Sequence, residues 1–225
     1  MAIILKNRKM IEVSRFVFNP FQENTWVVND ETKECLIIDP GCIDEKERAV
    51  LQEFIAENEL KPVKLILTHG HVDHVCGVSF IKEAYGLTPE CHALDVSLVN
   101  DATLHGKIFG VEVEKPPVPV GSLEDGHFIK FGNSAFEILH VPGHSAGSVA
   151  LFNKGQEFLF TGDVLFKGSI GRTDLPGGNY DTLMKSINEK IIPLGLDVVV
   201  MPGHGGDTTI GDEINSNPFI NLDLI

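Results

Sequence analysis

The sequence has no long hydrophobic run. No apolar stretch approaches the ~18 residues that a membrane-spanning helix needs, which excludes a transmembrane protein. Cysteine is scarce. Cys35, Cys42, Cys76 and Cys91 are scattered, form no C-x-x-C pair and are too few to staple the chain, so free, packed thiols are expected. Positive charge is in deficit: 18 Lys and Arg stand against 32 Asp and Glu, a formal charge of −14. That balance disfavours nucleic acid as a partner, because holding phosphate needs a basic surface. An export signal is also missing. The apolar run Ala2 to Leu5 is short and is followed by Lys6, Arg8 and Lys9, whereas a signal peptide needs an apolar core of about 7–15 residues after its positive charges. The expectation is a cytoplasmic protein. Low-complexity segments, repeats of fixed period and linker-like composition shifts are likewise lacking, so one domain over residues 1–225 is expected.

What is present is ordinary globular composition. Hydrophobic residues make up 43% and charged residues 22% of the 225, enough apolar surface to exclude disorder. Short segments rich in Val, Ile and Phe predict strands at 12–18, 24–29, 35–39, 63–67, 127–131, 135–141, 148–153, 156–160 and 196–201. Helical spacing of apolar residues predicts helices at 44–59, 74–85, 94–103 and 180–191. The stretch 115–126, with three prolines and two glycines, reads as a surface loop. An early meander followed by interleaved helices suits two sheets with helices packed outside them, an α/β arrangement.

Four strands end in the same way. Leu65 to Thr68 leads to His69, Phe136 to Gly143 leads to His144, Phe158 to Gly162 leads to Asp163, and Val198 to Gly203 leads to His204. A sheet that delivers His or Asp at one end of several strands builds a polar cluster on a rigid base. The first end is the densest, an H-x-H-x-D-H run of His69, His71, Asp73 and His74. In an extended segment His69, His71 and Asp73 would point to one side, and a helix starting near Asp73 would set that residue beside His74 in its first turn. Imidazoles and carboxylates suit zinc, iron or manganese. Packed this closely they repel or desolvate one another without a cation, and two cations share such a cluster with less strain than one. His92, His105, His127 and His140, each isolated, read as structural residues.

These motifs resemble a known family. T-H-G-H-V-D-H at 68–74, V-P-G-H-S-A-G-S at 141–148, T-G-D-V-L-F at 161–166 and M-P-G-H-G at 201–205 look like the signature of the metallo-β-lactamase-fold hydrolases. I-D-P-G at 38–41 and F-N-P-F-Q-E-N-T-W at 18–26 fit as well, and the match runs in order from about residue 12 to 219. G-S-I-G-R-T-D-L-P-G-G at 168–178 and the T-T-I-G-D-E…N-P-F ending at 208–219 resemble short bacterial glyoxalase II-like proteins, hydroxyacylglutathione hydrolases without an extra C-terminal domain.

The resemblance implies a four-layer αββα sandwich, two mixed sheets flanked by helices, with metal at their common edge. It implies that His69, His71 and His144 hold one metal, that Asp73, His74 and His204 hold a second, and that Asp163 bridges them. Asp73, His74 and Asp163 are thereby also expected to be catalytic, and Asp39 is expected behind them, orienting an imidazole. The implied cofactors are two divalent ions, zinc first, with iron or manganese as options. The implied reaction is attack of a metal-bridged hydroxide on a small-molecule thioester or related ester. Ser145 and Cys76 are not needed as nucleophiles; a turn hydrogen bond is expected of the first and packing of the second. Lys167, Arg172 and Tyr180 are candidates for the pocket wall, with Arg172 and Asp174 read as a structural pair.

A second reaction class stays open. A persulfide dioxygenase of similar sequence would use one iron held by His69, His144 and Asp163. A zinc β-lactamase is disfavoured because such enzymes are exported, and a nuclease because of the acidic balance and the short interval from Asp163 to His204. A purely structural metal site would favour four Cys or His ligands closed around one ion, which this pattern does not offer. The sequence leaves the oligomeric state and the identity of the thiol carrier unassigned.

Overall fold

The computed structural model describes residues 10–220. The segment Ala2 to Lys9, on which the export-signal reading rests, lies outside them.

The central strands, Glu23–Asn29, Glu34–Ile38, Val149–Asn153 and Phe158–Gly162, are buried along nearly their whole length because both of their faces are covered. Trp26, Leu36, Ile38 and Ile66 face one apolar layer, while their neighbours Val27, Ile37, Leu65 and Leu67 face another. The same alternation separates Phe158 and Phe160 from Leu159. Period-two alternation therefore sends each strand into two cores at once.

The result is two six-stranded sheets. The first contains β1 (Glu12–Phe18), β2 (Glu23–Asn29), β3 (Glu34–Ile38), β4 (Lys61–Ile66), β5 (Pro89–Cys91) and β6 (Val120–Gly121) in that order. Its β1–β3 pairs are antiparallel and its β3–β6 pairs parallel. The second sheet contains β7 (Phe128–Phe131), β8 (Ser134–His140), β9 (Val149–Asn153) and β10 (Phe158–Gly162). A small hairpin, β11 (Leu165–Phe166) and β12 (Ser169–Ile170), intervenes before β13 (Val199–Pro202) and β14 (Thr208–Thr209) complete that sheet in the order β14-β13-β10-β9-β8-β7. Only the β10–β13 pair in it is parallel.

Helices cover the outer faces. α1 (Glu45–Glu57), α2 (Val72–Val75), α3 (Val78–Tyr85), α4 (Val96–Asn100) and α5 (Ala102–Phe109) go with the first sheet, and α6 (Tyr180–Ser186) and α7 (Ile210–Ser216) with the second. Three apolar cores thus separate four layers, the αββα sandwich expected.

The predicted strands are present, with ends shifted by one to three residues. The predicted helices differ more. The 74–85 helix starts earlier and breaks at Cys76–Gly77, because Gly77 packs against the Pro40–Cys42 turn: its N–H donates to the Pro40 carbonyl at 2.7 Å, and a side chain there would strike the Cys42 sulfur. The 94–103 helix is two short helices meeting at Asp101, the second running on to Phe109. The 180–191 helix widens into a π turn over Ile187–Ile191. α7 was not anticipated, although Thr209 caps it by accepting from the Asp212 N–H at 3.0 Å. The stretch 115–126 is loop apart from β6.

The two sheets are tied together where the His- and Asp-bearing loops emerge. The Val149 N–H donates to the Thr68 carbonyl at 2.8 Å, and the Asn24 N–H to the Gly203 carbonyl at 2.7 Å.

Candidate metal centre

Each chemically interesting side chain sits just past the end of a buried strand, as the four strand ends predicted. His69 follows β4, His144 follows β8, Asp163 follows β10 and His204 follows β13. His71 is the residue before α2, with extended backbone, and Asp73 and His74 lie in that helix's first turn. With Asp73 in the first turn of α2 rather than in an extended segment, it joins a different donor group from His69 and His71.

All seven residues meet at one edge of the sandwich, in two groups. In the first, His71 Nδ1 lies 2.7 Å from His144 Nε2, which lies 3.2 Å from His69 Nε2. In the second, His204 Nε2 lies 3.1 Å and His74 Nε2 3.8 Å from Asp73 Oδ2. Asp163 stands between the groups. Its Oδ1 is 3.3 Å from His74 Nε2, and its Oδ2 is 3.6 Å from His144 Nε2 and 3.5 Å from His204 Nε2. His69, His71 and His144 form one set of donors close enough to hold an ion, and Asp73, His74 and His204 another.

The outer ring nitrogens explain why the inner ones converge. His144 Nδ1 donates to the Arg172 carbonyl at 2.8 Å, and His204 Nδ1 to the Phe21 carbonyl at 3.1 Å. A carbonyl only accepts, so those nitrogens carry the protons and Nε2 presents a lone pair. His74 Nδ1 is 3.1 Å from Asp39 Oδ2, which places Asp39 behind an imidazole as expected. Thr68 Oγ1 gives its proton to Asp39 Oδ2 at 2.5 Å and is free to accept from His69 Nδ1 at 3.1 Å.

Lone pairs aimed at one another need a cation. His74 Nε2 and Asp163 Oδ1 are both buried without a hydrogen-bond partner, and a side chain at Gly203 would fill the space beside both residues. A tetrahedral ion with bonds of about 2.0–2.1 Å needs donor atoms this close. The residues present therefore fit divalent metal, which the fold and these His and Asp clusters imply.

Electrostatics divides the site. Burial, reinforced by the other imidazoles, holds His69 well below the ordinary histidine value and His71 at about 3. Burial also opposes the charged form of His74, yet Asp163 and Asp73 outweigh it and raise that residue well above the ordinary value. His204 is raised against its burial by Asp73 and Asp163. Burial opposes ionisation of the two aspartates, but His74 and its neighbours hold both below the usual carboxylate range.

Asp95 gave no sequence signal, and Asn19, Glu23 and Asn24 lie in the 18–26 motif to which no role was assigned. The buried Asp95 accepts from the Gly70 N–H at 2.9 Å, the Gly147 N–H at 2.6 Å and Ser145 Oγ at 2.6 Å. It clips the loop carrying His69 and His71 to the loop carrying His144. Asn19 Nδ2 donates to the Asp73 carbonyl at 2.9 Å, and Asn24 Nδ2 to the Pro202 and Gly205 carbonyls, both at 2.9 Å. Glu23, buried with its carboxyl pushed well above the usual range by burial, lies 3.9 Å from His74. The 18–26 stretch thus braces the second group. Ser145 makes turn hydrogen bonds, and Cys76 packs in the core with its thiol on the Val72 carbonyl at 3.0 Å.

A cleft of about 110 Å³ opens onto His71, Asp73, His144 and Asp163. Arg172 lines it, and its guanidinium grips Asp174 at 2.7 and 2.8 Å. Tyr180 does not line it; the residue begins α6 and borders a separate hollow with Met184 and Phe219. Lys167 is exposed in the turn between β11 and β12. His105, expected to be structural, lines the cleft instead. Among the other three, His92 and His140 stack at 4.0 Å and His127 lies exposed beside Glu124.

Known proteins share this arrangement. The sequence pattern of the metallo-beta-lactamase superfamily matches residues 18–204. The hydroxyacylglutathione hydrolase GloC of Haemophilus influenzae is 39% identical over 203 residues, 89% of this chain and 94% of that protein. The crystal structure of TTHA1623 in a di-iron-bound form is 39% identical with a TM-score of 0.83, covering 92% of this chain and 99% of that one. The crystal structure of the BLEG-1 B3 metallo-beta-lactamase is 33% identical with a TM-score of 0.84, covering 93% and 100%. With the match spanning all seven clustered residues and the architecture shared throughout, the chain belongs to the metallo-beta-lactamase superfamily.

Proposed function

We propose that the protein is a binuclear metallohydrolase that cleaves a small-molecule thioester, in the manner of hydroxyacylglutathione hydrolases. The observation that carries this reading is the pair of donor groups sharing Asp163. In it, His69, His71 and His144 would hold one ion and Asp73, His74 and His204 the other, with Asp163 between the two groups. When bound, two divalent ions supply a nucleophile from water at neutral pH and offset charge developing on the carbonyl oxygen. Zinc is the first choice; the same donors accept iron or manganese, and the di-iron form of a relative supports iron.

The chain's own residues do the positioning. Asp39, the Arg172 carbonyl and the Phe21 carbonyl hold His74, His144 and His204 in the tautomer that presents Nε2. Asp73, His74 and Asp163 are the catalytic residues in this reading, and Asp73 and Asp163 open onto the cleft. Val72 and Phe109 in the cleft wall limit water around the substrate. The four unpaired buried thiols suit a reducing compartment, in support of the cytoplasm. Among the described residues no helix is long and apolar enough to cross a membrane.

The test is metal analysis of the purified protein together with a panel of acyl-thioesters, a β-lactam and a persulfide. Two ions per chain with thioester hydrolysis is the expected result. One iron per chain with oxygen consumption on the persulfide overturns it in favour of a dioxygenase. Hydrolysis of the β-lactam alone overturns the substrate class.

A further inference from the structure

The cleft at the donor groups adjoins a second hollow of about 180 Å³. His71, His105, Phe109 and Leu175 line both, and Leu98 and Ile108 complete the walls of the second. The hollow therefore adjoins the candidate reaction centre at His71, a member of its first donor group. Its lining is hydrocarbon and imidazole.

Two of its walls are out of place for a surface. Ile108 is 70% and Phe109 44% exposed, although α5 buries Ala102 and Gly106 on its inner side. Large apolar side chains grouped at the mouth of a cleft mark a binding surface. Phe109 is also placed by the centre: it stacks edge to face on Phe21 at 6.1 Å, and the Phe21 carbonyl accepts from His204.

Charge points the same way. Arg172 is the one Lys or Arg among the described residues lining the two hollows, and Asp174 occupies two of its nitrogens. A glutathione arm brings two carboxylates, and among the described residues these walls offer them a single guanidinium, already paired with Asp174.

We propose that this hollow receives an uncharged, apolar arm of the substrate, so that the preferred thioester carries an alkyl or aromatic acyl group on a thiol without an anionic peptide. The inference rests on the thioesterase reading above for the reaction and on the two hollows for the arm. Ile108 and Phe109 act as specificity-determining residues. Each added methylene, once buried, strengthens binding by about fourfold until the hollow is full.

The experiment separates the arm from the reaction. Binding of non-cleavable S-ethyl, S-butyl and S-hexyl thioethers of mercaptoethanol to the metal-containing protein is measured by calorimetry. In parallel, kcat/KM is measured for acyl series of increasing length on mercaptoethanol and on glutathione. The expected result is tighter binding with length, preference for the neutral thiol at equal acyl group, and a flattened length dependence in Ile108→Ser and in Phe109→Ser. Both positions are exposed, and circular dichroism checks their folding. Length-dependent binding with no thioester cleaved supports the hollow and overturns the thioesterase reading. Cleavage with no length dependence, or with glutathione preferred, overturns the hollow and leaves the thioesterase reading standing. Loss of both effects overturns both.

Discussion

The two halves of the centre use the same imidazole for opposite purposes. In the histidine half, burial and like neighbours keep His69 and His71 neutral far below neutral pH. In the carboxylate half, Asp73 and Asp163 reverse the cost of burial and raise His74 and His204 above the ordinary histidine value. Nothing in the residue type sets this; the partner within about 4 Å does. Protons therefore compete with a cation for His74 and His204 up to a higher pH than they do for His69 and His71.

The sharpest break in that comparison falls on Asp163, which both halves share. Asp163→Ala should lower turnover by at least about 10²–10³, the scale for removing an electrostatic group at a reacting centre, and should reduce metal content in both halves. His71→Ala should cost as much in turnover but empty only the histidine half. Steady-state kinetics and metal analysis on folded variants check both, and near-normal hydrolysis by either breaks the assignment.

The next effect concerns protons. Loading the metal-free protein at pH 7 should release more protons from His74 and His204 than from His69 and His71, because raised groups keep more of their protons at a given pH than lowered ones. Calorimetry in two buffers of different ionisation enthalpy counts them, and His204→Gln should lower the count. Equal counts in wild type and variant would break the contrast. The same shifts govern the metal-free fold. His74 and His204 contribute stability that is fully present below about 6.5 and lost as the pH rises through their raised values. Asp73 and Asp163 contribute stability present above about 3.9 and lost as the pH falls through their lowered values.

A smaller effect is expected one layer out. Asp95→Asn should weaken metal binding about 10–100-fold in the histidine half, the range typical of groups that orient ligands, whereas Asp39→Asn should act most strongly on the carboxylate half, where it meets His74 directly, and less on the histidine half, which it reaches through Thr68. Competition with a chelator, followed ion by ion, distinguishes them. If Asp95→Asn weakens the carboxylate half as much as the histidine half, the halves are not braced separately. The smallest effect lies away from either half. Burial pushes all four thiols up to about 12, so at pH 8 a disulfide reagent should react slowly with the native protein and rapidly with all of them after unfolding.

Much of this centre was legible in the sequence because its residues lie in tight local patterns. H-x-H-x-D-H and three further strand ends named all seven clustered residues, and apolar periodicity placed the longer strands within a few residues. Strands of two or three residues, such as β6 and β14, are too short to show a period. The break at Gly77 depends on a turn some thirty-five positions earlier, which no local window contains. His105 read as structural for the same reason, since its place in the cleft comes from how α5 lies against the 172–176 loop.

By itself the sequence determined which elements form, which strand ends carry ligand-type side chains and which family the chain resembles, because each depends on neighbours along the chain. Only the tertiary structure decided that Asp163 stands between two groups, that Asp95 joins the loop of His69 and His71 to the loop of His144, and that an apolar hollow adjoins His71. Those outcomes depend on distances across the sandwich, and electrostatic and packing energies fall off with separation in space, whatever the separation in sequence.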